Sequence, residues 1–263
     1  MKLGFIGAGN MAQAIIGGIL KKGIYSKDDI IASAATEKTI NKVSEEFGIN
    51  TTLDNKKVAE ADILFLAVKP VYYKSVIDEI KDIVSSDQII VTIAAGKSIA
   101  WVEEAFGGAR KIVRTMPNTP ALVGEGITAV CTNSNVSESD LSNVLDLLES
   151  FGIAVVINEN IMDAVVAVSG SSPAYVFMFI EAMADAAEAE GMPRAQAYKF
   201  AAQSVLGSAK MVLETGKHPG ELKDMVCSPA GTTIEAVRVL EKEGLRSSVM
   251  ECMKACADKS RNM

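Results

Sequence analysis

The chain has 263 residues, of which 49% are apolar and 22% charged, with a net charge of −7. That apolar content excludes a disordered chain, and the length suits one large core or two smaller ones. Residues 1–159 carry 15 basic and 20 acidic side chains and residues 160–263 carry 11 and 13, so neither half has the basic footprint of a nucleic-acid binder. The longest unbroken apolar run, residues 174–180, has seven residues, whereas a spanning helix needs about 20. No membrane segment is therefore expected. The first strand-like run begins at Leu3, which leaves no room for a signal peptide ahead of it, and a cytoplasmic location is expected. The four cysteines, Cys131, Cys227, Cys252 and Cys256, form no CxxC pair, and His218 is the single histidine. A zinc cage needs four close ligands, so reduced thiols and no structural metal are expected.

Strand and helix signals alternate through the first 157 residues. Leu3–Ile6 reads as a strand, 11–22 as a helix, Ile30–Ser33 as a second strand and 36–47 as a second helix. The runs 63–68 and 89–93 are continuously apolar, as in strands buried on both faces. Segments 111–116, 128–131 and 154–157 are weaker strand candidates. Such alternation predicts an α/β domain with a doubly wound, mostly parallel sheet covered by helices on both faces.

After Asn158-Glu159-Asn160 the strand signals stop. Helical spacing runs over 173–191, 193–215, 233–243 and 245–259, and residues 182–202 contain nine alanines. Breakers separate these segments at 191–193, 216–220, 228–231 and Gly244. Two domains are predicted, a dinucleotide-binding domain over 1–159 and an all-α domain over 160–263. The helical faces are too apolar for a lone small bundle, which predicts a dimer interface.

The strongest local motif is Gly7-Ala8-Gly9-Asn10-Met11-Ala12, which follows a strand and opens a helix. In that setting a GxGxxG/A run binds a dinucleotide. Gly7 permits the tight turn, Gly9 admits a pyrophosphate, and Ala12 allows close helix–strand packing. The helix N-terminus then offers free N–H groups and its positive dipole end. NAD sites place Asp or Glu at the end of the second strand, but this stretch reads Ser33-Ala34-Ala35-Thr36-Glu37-Lys38. A 2′-phosphate is not repelled there. Ser33 and Thr36 offer hydroxyls and Lys38 a charge, so NADPH is expected, with NADH possible through Glu37. Val68-Lys69-Pro70 and Ala94-Ala95-Gly96 end further strands on the same edge, where doubly wound sheets bind ligands. Pro117 and Pro120 stiffen a third such loop around Asn118.

The helical region carries two further stretches, Ser169-Gly170-Ser171-Ser172-Pro173 and Ser228-Pro229-Ala230-Gly231-Thr232-Thr233. In the first, Ser172 suits an N-cap and Pro173 the first helical position. In the second, Ser228 and Gly231 with two hydroxyls at a helix start suit a carboxylate. No Ser-His-Asp or Cys-His arrangement can be assembled around one histidine. Reduction of an electrophilic C=N bond needs little acid–base machinery, only alignment, an anion anchor and a hydride.

Taken together, 4–12, Ala67-Val68-Lys69-Pro70, Met116-Pro117-Asn118-Thr119-Pro120, Ser169 to Tyr175 and Ser228 to Thr233 closely resemble the pyrroline-5-carboxylate reductase family, in order along nearly the whole chain. The resemblance implies reduction of (S)-1-pyrroline-5-carboxylate to L-proline by NAD(P)H, the last step of proline biosynthesis. It implies a Rossmann domain followed by a helical dimerisation domain, with five dimers often forming a decamer. It places cofactor contacts at Ile6, Gly7, Ala8, Gly9, Asn10, Met11, Asn55, Ala67, Val68, Lys69, Pro70, Ala94, Ala95 and Gly96. It places substrate contacts at Thr232, Thr233 and, less firmly, Glu159, with Thr233 catalytic through the ring nitrogen. In the family, one subunit's helical domain can complete its partner's site. The chain departs from the family at Ala230, where Gly is usual and where alanine fits only a negative φ. It departs again at Ser172, usually Gly, and at Ala34, where some members carry Ser or Asn.

Two other readings compete. A β-hydroxyacid dehydrogenase shares the glycine-rich start but places a lysine in the helix after its Gly-rich turn, and residues 174–180 contain none. A non-catalytic nucleotide sensor would be expected to lose the 228–233 loop, which is intact in outline.

Overall fold

The computed structural model describes residues 2–262. The chain divides into two compact units, the first formed by residues up to Ser171 together with the chain from Cys256, the second by Ser172–Ala255.

The first unit is built on an eight-stranded sheet. Its strands are β1 (Leu3–Ile6), β2 (Ile30–Ser33), β3 (Asn50–Thr52), β4 (Ile63–Leu66), β5 (Ile89–Thr92), β6 (Lys111–Met116), β7 (Gly126–Thr132) and β8 (Gly152–Val156). The spatial order is β3-β2-β1-β4-β5-β6-β7-β8. Strands β1 to β6 run parallel, β7 is antiparallel to β6, and β8 is parallel to β7. This is the doubly wound order expected, and the strand order reverses between β1 and β4, where such sheets open a ligand crevice. The helices are α1 (Asn10–Lys22), α2 (Glu37–Phe47), α3 (Asn55–Val58), α4 (Tyr73–Ile80), α5 (Ile99–Phe106), α6 (Glu138–Leu148) and α7 (Met162–Val165).

Alternate residues of the central strands enter opposite cores. Leu3, Phe5, Ile63, Phe65, Ile89 and Val91 pack with Ile15, Ile16 and Ile19 of α1 and Leu147 and Leu148 of α6. Ile6, Leu64, Leu66, Ile90 and Ile112 pack with Val76, Ile77 and Ile80 of α4 and Val102 and Phe106 of α5. Burial of each such side chain stabilises by about 1.5–3 kcal/mol, which is why these strands read as unbroken apolar runs. The apolar run 63–68 overshoots β4 by two residues, because Val68 lies against the second core after leaving the ladder. Strand β3 gave no signal, since Asn50-Thr51-Thr52 is an edge strand with no buried residue.

The composition change predicts a boundary at 159/160, but the first unit continues to Ser171. Met162 and Ala167 are buried, and Met162 belongs to the second core. A π turn over Val166–Gly170 follows α7, closed by Ser171 N–H donating to the Val166 carbonyl at 2.8 Å. Ser172, expected to be an N-cap, is instead already helical. A proline at 173 has no N–H for the carbonyl four residues earlier, and that Ser169 carbonyl accepts from Asn118 Nδ2 at 3.2 Å. The last turns of the final helix return to this unit, with Ser260 Oγ donating to Asp163 Oδ1 at 2.6 Å.

The second unit contains α8 (Ser172–Ala189), α9 (Arg194–Thr215), α10 (Pro219–Val226), α11 (Thr232–Lys242) and most of α12 (Leu245–Arg261). Helix α10 begins inside the breaker segment 216–220, with Pro219 and Gly220 as its first two residues. Gly216 ends α9 in a left-handed C-cap, and His218 starts α10 as its N-cap, Nδ1 accepting from Gly220 N–H at 3.1 Å. The single histidine is thus a helix cap. Only Ala184, Ala197 and Ala201 are fully buried in this unit. Residues 159–189 are long and apolar enough, by length and composition, to cross a membrane. An unbroken-run criterion misses this, because hydroxyl and acidic residues interrupt the stretch.

Candidate active site

The tips of three neighbouring strands are laced together at the switch point. Gly7 N–H donates to the Ser33 carbonyl at 3.0 Å, and Ala67 N–H donates to the Ile6 carbonyl at 2.8 Å. Gly7 has φ +100°, and a Cβ there would lie 2.6 Å from the Ala67 carbonyl oxygen. Only glycine fits that position. Gly9 is the N-cap of α1 with no side-chain cap hydrogen bond, and the first turn of α1 holds no acidic residue. A Cβ on Gly9 would meet nothing within 4 Å. Open space over free N–H groups at a positive dipole end fits a dinucleotide pyrophosphate. Ile6 and Ala8 are buried and offer backbone alone, while Asn10 is exposed and Met11 half-buried.

The tip of β2 corrects one expectation. Ser33 has 0% exposure, and its hydroxyl donates to Asn55 Oδ1 at 2.7 Å. It is therefore engaged inside the fold rather than offered to a 2′-phosphate. Asn55 in turn donates through Nδ2 to Glu79 Oε2 at 2.8 Å, which leaves one amide hydrogen for a ligand. Thr36 is exposed and caps α2, its Oγ1 accepting from Thr39 N–H at 3.3 Å. Residues 33–36 carry no carboxylate, and Ala34 is half-buried at the strand tip.

Beyond β4, Ala67 and Val68 are half-buried and Lys69 is exposed, followed by a 3-10 turn over Pro70–Tyr72. Beyond β5, Ala94 is buried and Ala95 and Gly96 are half-buried. Between these tips lies Tyr73, which the sequence reading missed. Its hydroxyl accepts from Thr92 Oγ1 at 2.9 Å and from Ile93 N–H at 3.3 Å, and donates to the Leu66 carbonyl. Burial pushes its pKa up to about 12, against smaller opposing effects from Thr92 and the backbone of Ile93 and Ala94. The hydroxyl so remains a donor at ordinary pH. The available signal was a tyrosine standing at an apolar helical position, in step with Val76, Ile77 and Ile80.

Glu159 has two partners in the sheet unit. Its Oε1 accepts from Arg114 Nη1 at 2.7 Å and from Ile99 N–H at 2.8 Å. Arg114, in the middle of β6, is only 6% exposed. A buried arginine needs such a partner, and removing it would leave an uncompensated charge. Glu159 thus ties the first turn of α5 to β6 within the first unit through Oε1. Beside this pair, burial raises the Cys131 thiol pKa to about 11, Glu159 adding to the shift and Arg114 opposing it. Asn118 is buried and bridges two segments, Oδ1 accepting from Ile127 N–H at 2.9 Å and Nδ2 donating to the Ser169 carbonyl.

In the second unit, Ser228 to Gly231 form a tight turn. Gly231 N–H donates to the Ser228 carbonyl at 3.0 Å. Pro229 is its second residue and Ala230 its third, with φ +57°. Among the described residues Ala230 is the only non-glycine with positive φ. A turn of this type wants glycine there, so the alanine is held in a conformation it disfavours. A Cβ at Gly231 would lie 2.3 Å from Ser228 Oγ. Gly231 caps α11 with no side-chain hydrogen bond. Thr232 and Thr233 are the first two residues of α11, Thr232 exposed and Thr233 half-buried. Neither hydroxyl serves as the cap. The acidic residue of that first turn, Glu235, pairs with Arg238 Nε at 2.9 Å. Free N–H groups beside two hydroxyls suit a small carboxylate.

Residues 159–263 match the family described as "Pyrroline-5-carboxylate reductase dimerisation". Residues 2–96 match the family described as "NADP oxidoreductase coenzyme F420-dependent". The chain is 54% identical to pyrroline-5-carboxylate reductase of Escherichia coli over 263 residues, covering 100% of this chain and 98% of that one. It is 43% identical to the enzyme of that name from Methanosarcina acetivorans, covering 100% and 97%. Among solved structures, the Plasmodium falciparum pyrroline carboxylate reductase with NADP bound superposes with TM-score 0.92 at 36% identity, covering 100% and 97%. The Coxiella burnetii pyrroline-5-carboxylate reductase gives TM-score 0.91 at 34% identity, covering 99% and 97%. Prephenate dehydrogenase of Aquifex aeolicus, at 14% identity and TM-score 0.55, shares the fold alone. With two free helix N-termini built for anions and relatives matched from end to end, the chain belongs to the pyrroline-5-carboxylate reductase family.

Proposed function

We propose that this chain reduces (S)-1-pyrroline-5-carboxylate to L-proline with NADPH, the last step of proline biosynthesis. The observation that carries the reading is the turn 228–231 delivering two uncapped threonine hydroxyls at the start of α11, in a chain 54% identical to the Escherichia coli enzyme. The imine reacts in its protonated iminium form, the ring-nitrogen proton coming from water, so that hydride addition to the imine carbon gives the secondary amine directly. NADPH supplies the hydride.

The protein's own residues bind and orient. Backbone groups of Ile6 to Met11 take the pyrophosphate, with Gly9 leaving the space. Thr36, the remaining amide hydrogen of Asn55 and the carboxylate-free tip of β2 favour a 2′-phosphate, and NADH is the weaker donor. Residues 67–70 and 94–96 complete the cofactor crevice. Ser228, Gly231 and Thr232 hold the substrate carboxylate, and the Thr233 hydroxyl meets the ring nitrogen. That contact turns the imine carbon toward the hydride without any further acid or base.

Function divides near 159/160, the boundary from which the dimerisation match begins. We infer a cytoplasmic homodimer, with five dimers forming a decamer and no nucleic-acid or membrane partner. A second copy, not lipid, covers the apolar stretch 159–189. The test is loss of NADPH absorbance with pyrroline-5-carboxylate and one-for-one appearance of L-proline, repeated with NADH. Proline-dependent reduction of NADP⁺ at high pH checks the reverse direction. A purified, folded protein that does neither overturns the reading.

A further inference from the structure

We propose that Tyr73 is a positioning residue for the cofactor. Its hydroxyl fixes the tips of β4 and β5 against each other and so sets the two backbone segments, 67–70 and 94–96, that receive NADPH. The inference rests on the reading that those segments bind NADPH, and goes beyond it by naming what holds them.

The β4–β5 ladder ends at the pair Leu66–Thr92. From there the two chains leave the sheet for the cofactor crevice. The Tyr73 hydroxyl stands at that last pair and joins both sides, donating to the Leu66 carbonyl and accepting from Thr92 Oγ1 and Ile93 N–H. Thr92 Oγ1 reaches one residue further, accepting from Ala94 N–H at 3.4 Å. Thr115 Oγ1 of β6 donates to the Thr92 carbonyl at 3.0 Å and ties the knot to the next strand. Tyr73, Thr92 and Thr115 are all fully buried, so water does not substitute for any of these partners. The phenol is a further group that neither binding nor chemistry uses. A phenylalanine would fill the same apolar position beside Val76 and Ile77. What the hydroxyl adds is a fixed spacing between two loops that must grip one ligand.

Tyr73→Phe removes the hydroxyl and keeps the ring. Binding is read by fluorescence titration of NADPH well below each variant's melting temperature, with kinetics at saturating imine. Wild-type protein that binds no NADPH removes the cofactor reading itself, whatever Tyr73 does. Given wild-type binding, Tyr73→Phe should raise the NADPH Kd and KM roughly 3- to 30-fold, the range in which packed networks couple to a site. Maximal rate and imine KM should stay near wild type. Thr92→Val should weaken NADPH in the same way, Thr92→Ser should restore it, and the double variant should be no weaker than the worse single one. A Tyr73→Phe protein that melts earlier yet binds NADPH like wild type overturns the proposal, as do losses that multiply in the double variant. Should Tyr73→Phe fail to fold, Thr92→Val carries the same reading, and unchanged NADPH affinity there overturns it.

Discussion

The two units of this chain treat their apolar residues in opposite ways. In the sheet unit, the strands β1, β4 and β5 are buried along their whole length and close two cores of their own. In the helical unit three alanines are the only fully buried residues, while Phe177 is 64% exposed and Leu213 75%. A monomer rarely leaves so many large apolar side chains of one unit in water. The sheet unit closes its own cores, and its proposed cofactor contacts are backbone groups at strand tips. The helical unit, which matches a dimerisation family, leaves its apolar faces for a partner, and its proposed substrate contacts are side chains at a helix start. Salt bridges do not alter this contrast, since those joining Arg194 to Asp185 and Glu188 are exposed, and exposed pairs contribute little.

The largest effect should come from charging the open helical face. Phe177→Asp should weaken self-association by about 30- to 1000-fold, the loss typical of a buried aromatic anchor, and activity should fall with it at assay concentration. Ile24→Asp, at an exposed apolar residue in the turn after α1 of the sheet unit, should leave the oligomer intact. Sedimentation velocity separates the two outcomes, and a Phe177→Asp protein that remains dimeric breaks the contrast.

A smaller effect should follow at the tip of β2. Ala34→Asp puts a carboxylate where a 2′-phosphate is expected, and two charges a few ångströms apart repel by about 1–4 kcal/mol. The NADPH-to-NADH ratio of kcat/KM should fall about tenfold or more, with oligomeric state and imine KM unchanged. A retained ratio would remove residue 34 from the cofactor site. The smallest effect concerns the turn before α11. Ala230→Gly relieves a left-handed alanine, worth about 1–2 kcal/mol, but returns about 0.5–1 kcal/mol through the more flexible unfolded chain. A thermal melt should show a rise of a few degrees, and a fall would show that the strain is absent.

Much of this was legible in the sequence, for a physical reason in each case. Strands buried on both faces are unbroken apolar runs, so β1, β4 and β5 were readable. The glycine turn was readable because Gly7 has no tolerable alternative. Polar side chains were not, because residue type does not say who the partner is. Ser33 sits at the right strand tip, yet its hydroxyl is spent on Asn55. Glu159 looked like a free carboxylate and is held by Arg114, 45 residues away in sequence. Tyr73 looked like one more apolar residue, and its partners come from β4 and β5. Ser172 has the composition of an N-cap but follows a π turn, a feature for which no local spacing rule exists.

The division of labour between the units rests most directly on Thr233. Thr233→Ala should lower kcat/KM for the imine about 10- to 100-fold, as expected for one lost hydrogen bond in a site. The NADPH Kd should stay near wild type, because the cofactor is gripped by the other unit. The melting temperature should barely move, because Gly231 and not Thr233 caps α11. Thr233→Ser should keep most of the activity. Near-wild-type efficiency in Thr233→Ala, or a loss carried by NADPH affinity instead, would contradict the account.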